Sequence, residues 1–99
     1  MIVCCIRYTL DPFQLPAFED YARRWPPIIE RCGGRLLGYF MPQESANNLG
    51  LALIEFENLA AYEKYHDRLL ADPEAKGNLA RARASQCILV EERFFLRRV

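Results

Sequence analysis

An excess of charge of either sign is missing from this chain. Its 13 Lys and Arg are matched by 13 Asp and Glu, for a net charge of zero. A surface without a field of one sign draws in neither nucleic acid nor anionic lipid, so neither is expected as a partner. The one basic cluster, "RFFLRRV" at residues 93–99, reads as a solvated end. Histidine is nearly absent, with His66 alone. The four cysteines form no C-x-x-C pair, and one His does not complete a zinc set with them, so no metal is expected. Cys4 and Cys5 are adjacent and point to opposite faces of a strand. All four read as buried, reduced thiols. The start, "MIVCCIRYTL", has no basic leader or cleavage site and is far shorter than a membrane span. A cytoplasmic location is the expectation.

A nucleotide loop is also missing. Three of the five glycines fall in "CGGRLLGYF", residues 32–40. A phosphate-binding loop puts its glycines after a strand and before a helix, with a Lys-Ser/Thr pair. Here the order is helix, glycines, strand. Repeats, linkers and low-complexity stretches are lacking too, so residues 1–99 form a single domain.

What is present is hydrophobic patterning. Ile2 to Leu10 is apolar on both parities, as in a strand covered on both faces. Leu15, Phe18, Ala22, Trp25, Ile29 and Cys32 recur at steps of three and four, one face of a helix. Pro26 and Pro27 remove two backbone donors and are expected to kink or restart it. Gly33 and Gly34 stand where a helix end favours a left-handed residue. "RLLGYFM" and "LGLALIEF" (49–56) are strands joined by the polar turn "PQESANN". Asn58 caps a second helix with Leu59, Tyr62, Tyr65 or His66, and Leu69 on its apolar face. Asp72-Pro73 restarts it as a short helix to about Arg83. "SQCILVEERFFL" is the last strand.

Strand, helix, strand, strand, helix, strand folds by right-handed crossovers into a ferredoxin-like βαββαβ unit of the α+β class. Its four-stranded antiparallel sheet carries the helices on one face. Such a sheet with its other face wet should alternate apolar and polar residues. These strands mostly do not, and hydrophobic residues reach 52% of the chain. A second copy of the sheet is the simplest cover, so a homodimer is expected.

Two groups are catalytic candidates. His66 could transfer protons or be a half-exposed helix residue; Tyr8 could supply a polar group. The binding candidates are Trp25, Gly38, Tyr39, Tyr62 and Arg7. Aromatics at these spacings are either core or the walls of a site for a flat organic ligand. Gly38, inside a strand, marks a bulge or opens room for such a ligand. The second reading places Gly38 toward the helices, with Trp25 and an aromatic of the second helix as walls. Glu55, Glu91, Glu92 and Arg93 fall on strands, and no spacing sets their separation.

The segments "FEDYARRWPPIIERCGGRLLGYF", "LALIEFENLAAYEKYHDRLLADPEAKGN" and "CILVEERFFLR" resemble bacterial members of the NIPSNAP family. "GGRLLGYF", "LAAYEKY", "LLADPEA" and "EERFFL" are the most specific parts. The resemblance implies a ferredoxin-like protomer in a dimeric α+β barrel, with no settled activity; no cofactor is expected. Arg7, Tyr8, Gly38, Tyr39 and Glu44 match residues common in that family. Cys4 stands where members usually have Glu, and Ala52-Leu53-Ile54 where many have His-Leu-Trp. The expected function is small-molecule binding. The alternative is a cofactor-independent oxygenase or isomerase with its site between sheet and helices, by analogy with other dimeric α+β barrels.

Overall fold

A computed structural model describes residues 1–99 and contains seven elements. They are β1 (Ile2–Leu10), α1 (Leu15–Cys32), β2 (Arg35–Phe40), β3 (Leu49–Phe56), α2 (Leu59–Ala71), α3 (Pro73–Ser85) and β4 (Ile88–Arg97). The strands form one antiparallel sheet in the order β2-β3-β1-β4. This is the expected ferredoxin-like arrangement. β1 is central because its register with β3 and β4 buries it from both sides.

Alternation along β1 sorts the sheet into two faces. Cys4, Ile6, Tyr8 and Leu10 point toward the helices and are buried. Ala52, Ile54 and Phe56 of β3 join them, and α1 covers them with Phe18, Trp25, Ile28, Ile29 and Cys32. Burying one such large apolar side chain contributes about 1.5–3 kcal/mol, so this layer holds the domain together. The opposite, outer face carries Val3, Cys5, Leu51 and Leu53 with Phe94 and Leu96. No element of the chain packs over it.

The helix boundaries follow their caps. Gln14 precedes α1 without a side-chain cap, and Pro16 fits the first turn, where no donor is needed. The helix does not restart at Pro26-Pro27; it is one element. The acceptors that lose their donors are the carbonyls of Ala22 and Arg23, four residues earlier. Pro27 and Arg23 are exposed and Pro26 is half-buried, so the break in the ladder lies toward solvent, where its cost is smallest. Asn58 caps α2 by accepting from the Ala61 N–H at 2.9 Å. Asp72 caps α3 by accepting from Glu74 and Ala75, at 2.9 and 3.1 Å. The same carboxylate takes a two-pronged ion pair from Arg31 of α1, which ties the α2–α3 joint to α1.

Gly33 ends α1 with φ of 108°. Its N–H bonds the Glu30 carbonyl and that of Gly34 bonds Ile29, which satisfies carbonyls the helix leaves over. Gly34 is needed for a different reason. A β-carbon there would lie 2.9 Å from Ile29, 3.0 Å from Ile54 and 3.1 Å from Tyr65, all in the core. Gly33→Ala is expected to destabilise by about 1–2 kcal/mol through backbone strain. Gly34→Ala is expected to destabilise by about 1–3 kcal/mol through overpacking. Urea melts check both, as a midpoint lowered against that of the unsubstituted chain.

The β2–β3 register slips between Leu36 and Gly38. Leu36 opposes Ile54, Gly38 opposes Leu53, and Leu37 is the extra residue of a bulge. Without the bulge, Leu36, Gly38 and Phe40 would share a face. With it, Leu36 and Tyr39 point to the helices, while Gly38 and Phe40 turn to the outer face.

Candidate functional site

Between the sheet and the helices lies a cavity of about 140 Å³. β1 supplies Cys4, Ile6 and Tyr8 to its floor, and the bulge in β2 delivers Tyr39 beside them. α1 gives Tyr21, Trp25 and Ile29; α2 gives Tyr62, Tyr65 and His66. Glu91 and Arg93 of β4 face it because they pair with Tyr8 and Ile6, the helix-side residues of β1. β4 is an edge strand only partly covered by helices, so its charged pair sits where the cavity meets water.

The deep end is built of phenols and an indole. The Tyr8 and Tyr39 hydroxyls are 3.1 Å apart, one donating to the other. The Tyr8 ring meets Phe18 edge-on at 5.2 Å, and the Tyr21 ring meets Trp25 edge-on at 5.6 Å. Each geometry sets a positive ring edge against a negative face. The Trp25 indole N–H is buried and completes no hydrogen bond of good geometry, although the Tyr21 hydroxyl lies close enough to feel it. It is one of only two such buried side-chain atoms in the chain, the other being Asn78 Oδ1. An unpaired buried donor costs about 1–3 kcal/mol, and this one stands in the cavity wall.

At the open end, Arg93 Nη1 donates to the Tyr62 hydroxyl at 2.8 Å. Arg93 Nη2 is 3.7 Å from Glu91 Oε2, an ion pair without a hydrogen bond. The His66 ring stacks on Tyr62 with centroids 5.7 Å apart.

Burial sets the protonation of this wall. It pushes Tyr8 and Tyr39 well above the ordinary tyrosine value, with the charge of neighbouring phenols adding to it. Burial also raises Tyr21 to about 12, the Trp25 indole offsetting part, and raises the Cys4 thiol to about 11. At neutral pH these groups are uncharged. The tyrosines can donate hydrogen bonds to an oxygen but are not bases, and Cys4 is not a thiolate nucleophile.

The structure brings together five of the seven residues picked out by sequence: Tyr8, Trp25, Tyr39, Tyr62 and His66. Gly38 and Arg7 do not belong with them. Gly38 was expected toward the helices, but the bulge turns it to the outer face, where a β-carbon would meet only the Phe40 ring, at 2.8 Å. Arg7 alternates with Ile6 and Tyr8 on β1, so it also points outward, and holds Glu92 through two hydrogen bonds of 3.2 and 2.9 Å. Sequence reasoning missed Tyr21, whose signal was its place three residues after Phe18 and four before Trp25. Glu91 and Arg93 were recognised only as strand charges, because the β1–β4 register that aims them inward is not written in either strand alone.

The sheet order, the three helices on one face and the cavity between them define a ferredoxin-like α+β protein. The chain belongs to the NIPSNAP family, whose model matches residues 3–99. A NIPSNAP family protein of unknown function from Agrobacterium tumefaciens is similar at TM-score 0.88 and 24% identity, over 100% of this chain and 94% of that one. A NIPSNAP domain protein from Burkholderia xenovorans gives TM-score 0.83 and 20% identity, over 100% of this chain and 95% of that one. SnoaB, a cofactor-independent oxygenase from Streptomyces nogalater, gives TM-score 0.67 and 17% identity, over 99% of this chain and 92% of that one. At such identities the likeness is one of fold. No curated protein matches the chain. No helix is long and apolar enough to cross a membrane.

Proposed function

We propose that this chain is a homodimer whose protomers each bind a small planar organic molecule between sheet and helices. The observation that carries the reading is the ring-lined cavity, with a buried indole in its wall whose N–H completes no hydrogen bond of good geometry. A ligand oxygen placed there would give it a partner. The uncovered apolar outer face supports the second copy, and the four free, buried cysteines support a reducing cytoplasm.

Trp25 is the only tryptophan in the chain, so its fluorescence reports on the cavity directly. Phenol is the probe. It is expected to quench Trp25 saturably, and Cys4→Leu, which adds bulk to the floor, is expected to weaken that binding at least tenfold. Far-UV circular dichroism checks that the variant is folded. Quenching that rises linearly without saturation, or that ignores Cys4→Leu, would count against the site.

A second reading is an enzyme, a cofactor-independent oxygenase or isomerase. It is favoured by the neutral Tyr8–Tyr39 donor pair lying in one cavity with His66 and Glu91, and by the fold shared with SnoaB. Donors held in place for a developing oxyanion, together with a proton acceptor, are what such chemistry needs. Oxygen uptake with hydroquinone above the protein-free rate, lost in Tyr8→Phe and His66→Ala, is the result this reading expects.

A further inference from the structure

Arg93 is the only arginine in the cavity wall, and its bonding is incomplete. One nitrogen donates to a neutral phenol, Tyr62, at 2.8 Å. Its only acidic neighbour, Glu91, is 3.7 Å away and accepts nothing from it. Two other arginines are matched to carboxylates far better. Arg7 makes two hydrogen bonds to Glu92, at 3.2 and 2.9 Å. Arg31 makes two to Asp72, at 2.9 and 2.7 Å. A guanidinium is a planar fork of five donors that matches a carboxylate in two-pronged fashion. The Arg93 side chain is 32% exposed, and its fork receives no carboxylate at hydrogen-bond distance.

The volume fixes the rest of the ligand. An apolar cavity of about 150 Å³ holds benzene. This one, at about 140 Å³, takes one ring and not two. Its apolar lining and aromatic walls suit a flat ring, and its single cation stands at the open end, where a charged group would keep contact with solvent.

We propose that the ligand is a single-ring aromatic acid, with its ring in the cavity and its carboxylate on Arg93. This rests on the binding reading above and names the class of molecule. Glu91 opposes it by repulsion, but leaves the fork free for a carboxylate that approaches to hydrogen-bond distance. Charge-assisted, two-pronged hydrogen bonds in a partly dry site favour that exchange.

The test compares benzoate with benzamide, which has the same shape and no charge, by Trp25 quenching and titration calorimetry. Benzoate is expected to bind at least tenfold tighter than benzamide. Arg93→Met should erase that preference. Arg93→Lys, which keeps the charge but not the fork, should retain part of it, and Glu91→Gln should tighten benzoate. Benzamide binding as tightly as benzoate, or a preference that survives Arg93→Met in a folded variant, overturns the acid assignment and leaves the cavity reading intact. If phenol and benzamide also fail to bind at millimolar concentration, the cavity reading falls with it.

Discussion

Leu53→Glu should leave the chain monomeric at micromolar concentration, where the unsubstituted protein should sediment as a dimer. Leu53 lies on β3, inside the sheet, with neighbours on β1 and β2. It points to the face that the helices do not cover. On the same face, Phe40, Val90 and Leu96 are each more than half exposed, with the Arg7–Glu92 ion pair among them, and exposed apolar surface of this kind marks an interface. In a two-fold assembly each substitution occurs twice, so two carboxylates enter one interface. An unpaired buried ion costs several kcal/mol. A total of about 4 kcal/mol already corresponds to roughly a thousandfold in affinity. Because Leu53 points away from the cavity, phenol binding by the monomer should persist. A wild-type chain that is monomeric under the same conditions, or a variant that remains dimeric, would refute the face-to-face assembly. Gly38→Leu should likewise disturb assembly and spare the cavity, since Gly38 lies on this face beside Phe40.

The fold was legible because most of its boundaries are chemical. Asp11-Pro12, Gly33-Gly34, Asn58 and Asp72-Pro73 each stop or start an element, and each does so in the structure. Asn58 and Asp72 cap by hydrogen bonds that their side chains were expected to accept. The doubly apolar β1 was readable for the same reason: its pattern needs cover on both sides whatever lies elsewhere. The site was legible only in part. Trp25, Tyr62 and His66 follow from helical spacing, which is local. Tyr39, Gly38, Glu91 and Arg93 depend on register, which is not. One inserted residue at Leu37 exchanges the faces of Gly38 and Tyr39, and a strand sequence does not say which residue its partner skips. The restart at Pro26-Pro27 does not occur, for another reason. A missing donor destabilises by the environment of the carbonyl it abandons, and that environment is a tertiary property.

Above pH 10 the protein is expected to unfold steeply. Burial raises Tyr8, Tyr21, Tyr39 and Tyr65 above the ordinary tyrosine value of 10.0, and Tyr21 reaches about 12. The unfolded chain therefore loses these protons first. Below pH 10 both states are neutral at these sites and the stability is intact. As pH rises, ionisation draws the chain toward the unfolded form until the folded phenols themselves titrate. Each such group contributes a slope of about 1.4 kcal/mol per pH unit, and four together give roughly 5. A typical domain stability of about 5–15 kcal/mol is then gone within roughly one to three pH units. Cys4, raised from 9.0 to about 11, begins the decline slightly earlier. Absorbance at 295 nm and circular dichroism should move together, with four of the five tyrosines ionising in the unfolding transition. Four phenols titrating near pH 10 while the dichroism stays native would contradict the buried wall.

The central position of β1 has a consequence for the order of events in synthesis. Both strands that flank it, β3 and β4, are made later, and β4 follows every other element. At about 5–20 residues per second, β1 emerges seconds before its second neighbour exists. During that interval its Cys4-to-Ile6 stretch has at most one partner, and an open apolar edge of this kind invites pairing with the wrong chain. The strand that carries Arg93 thus both completes the cavity and ends the nascent chain's most aggregation-prone interval.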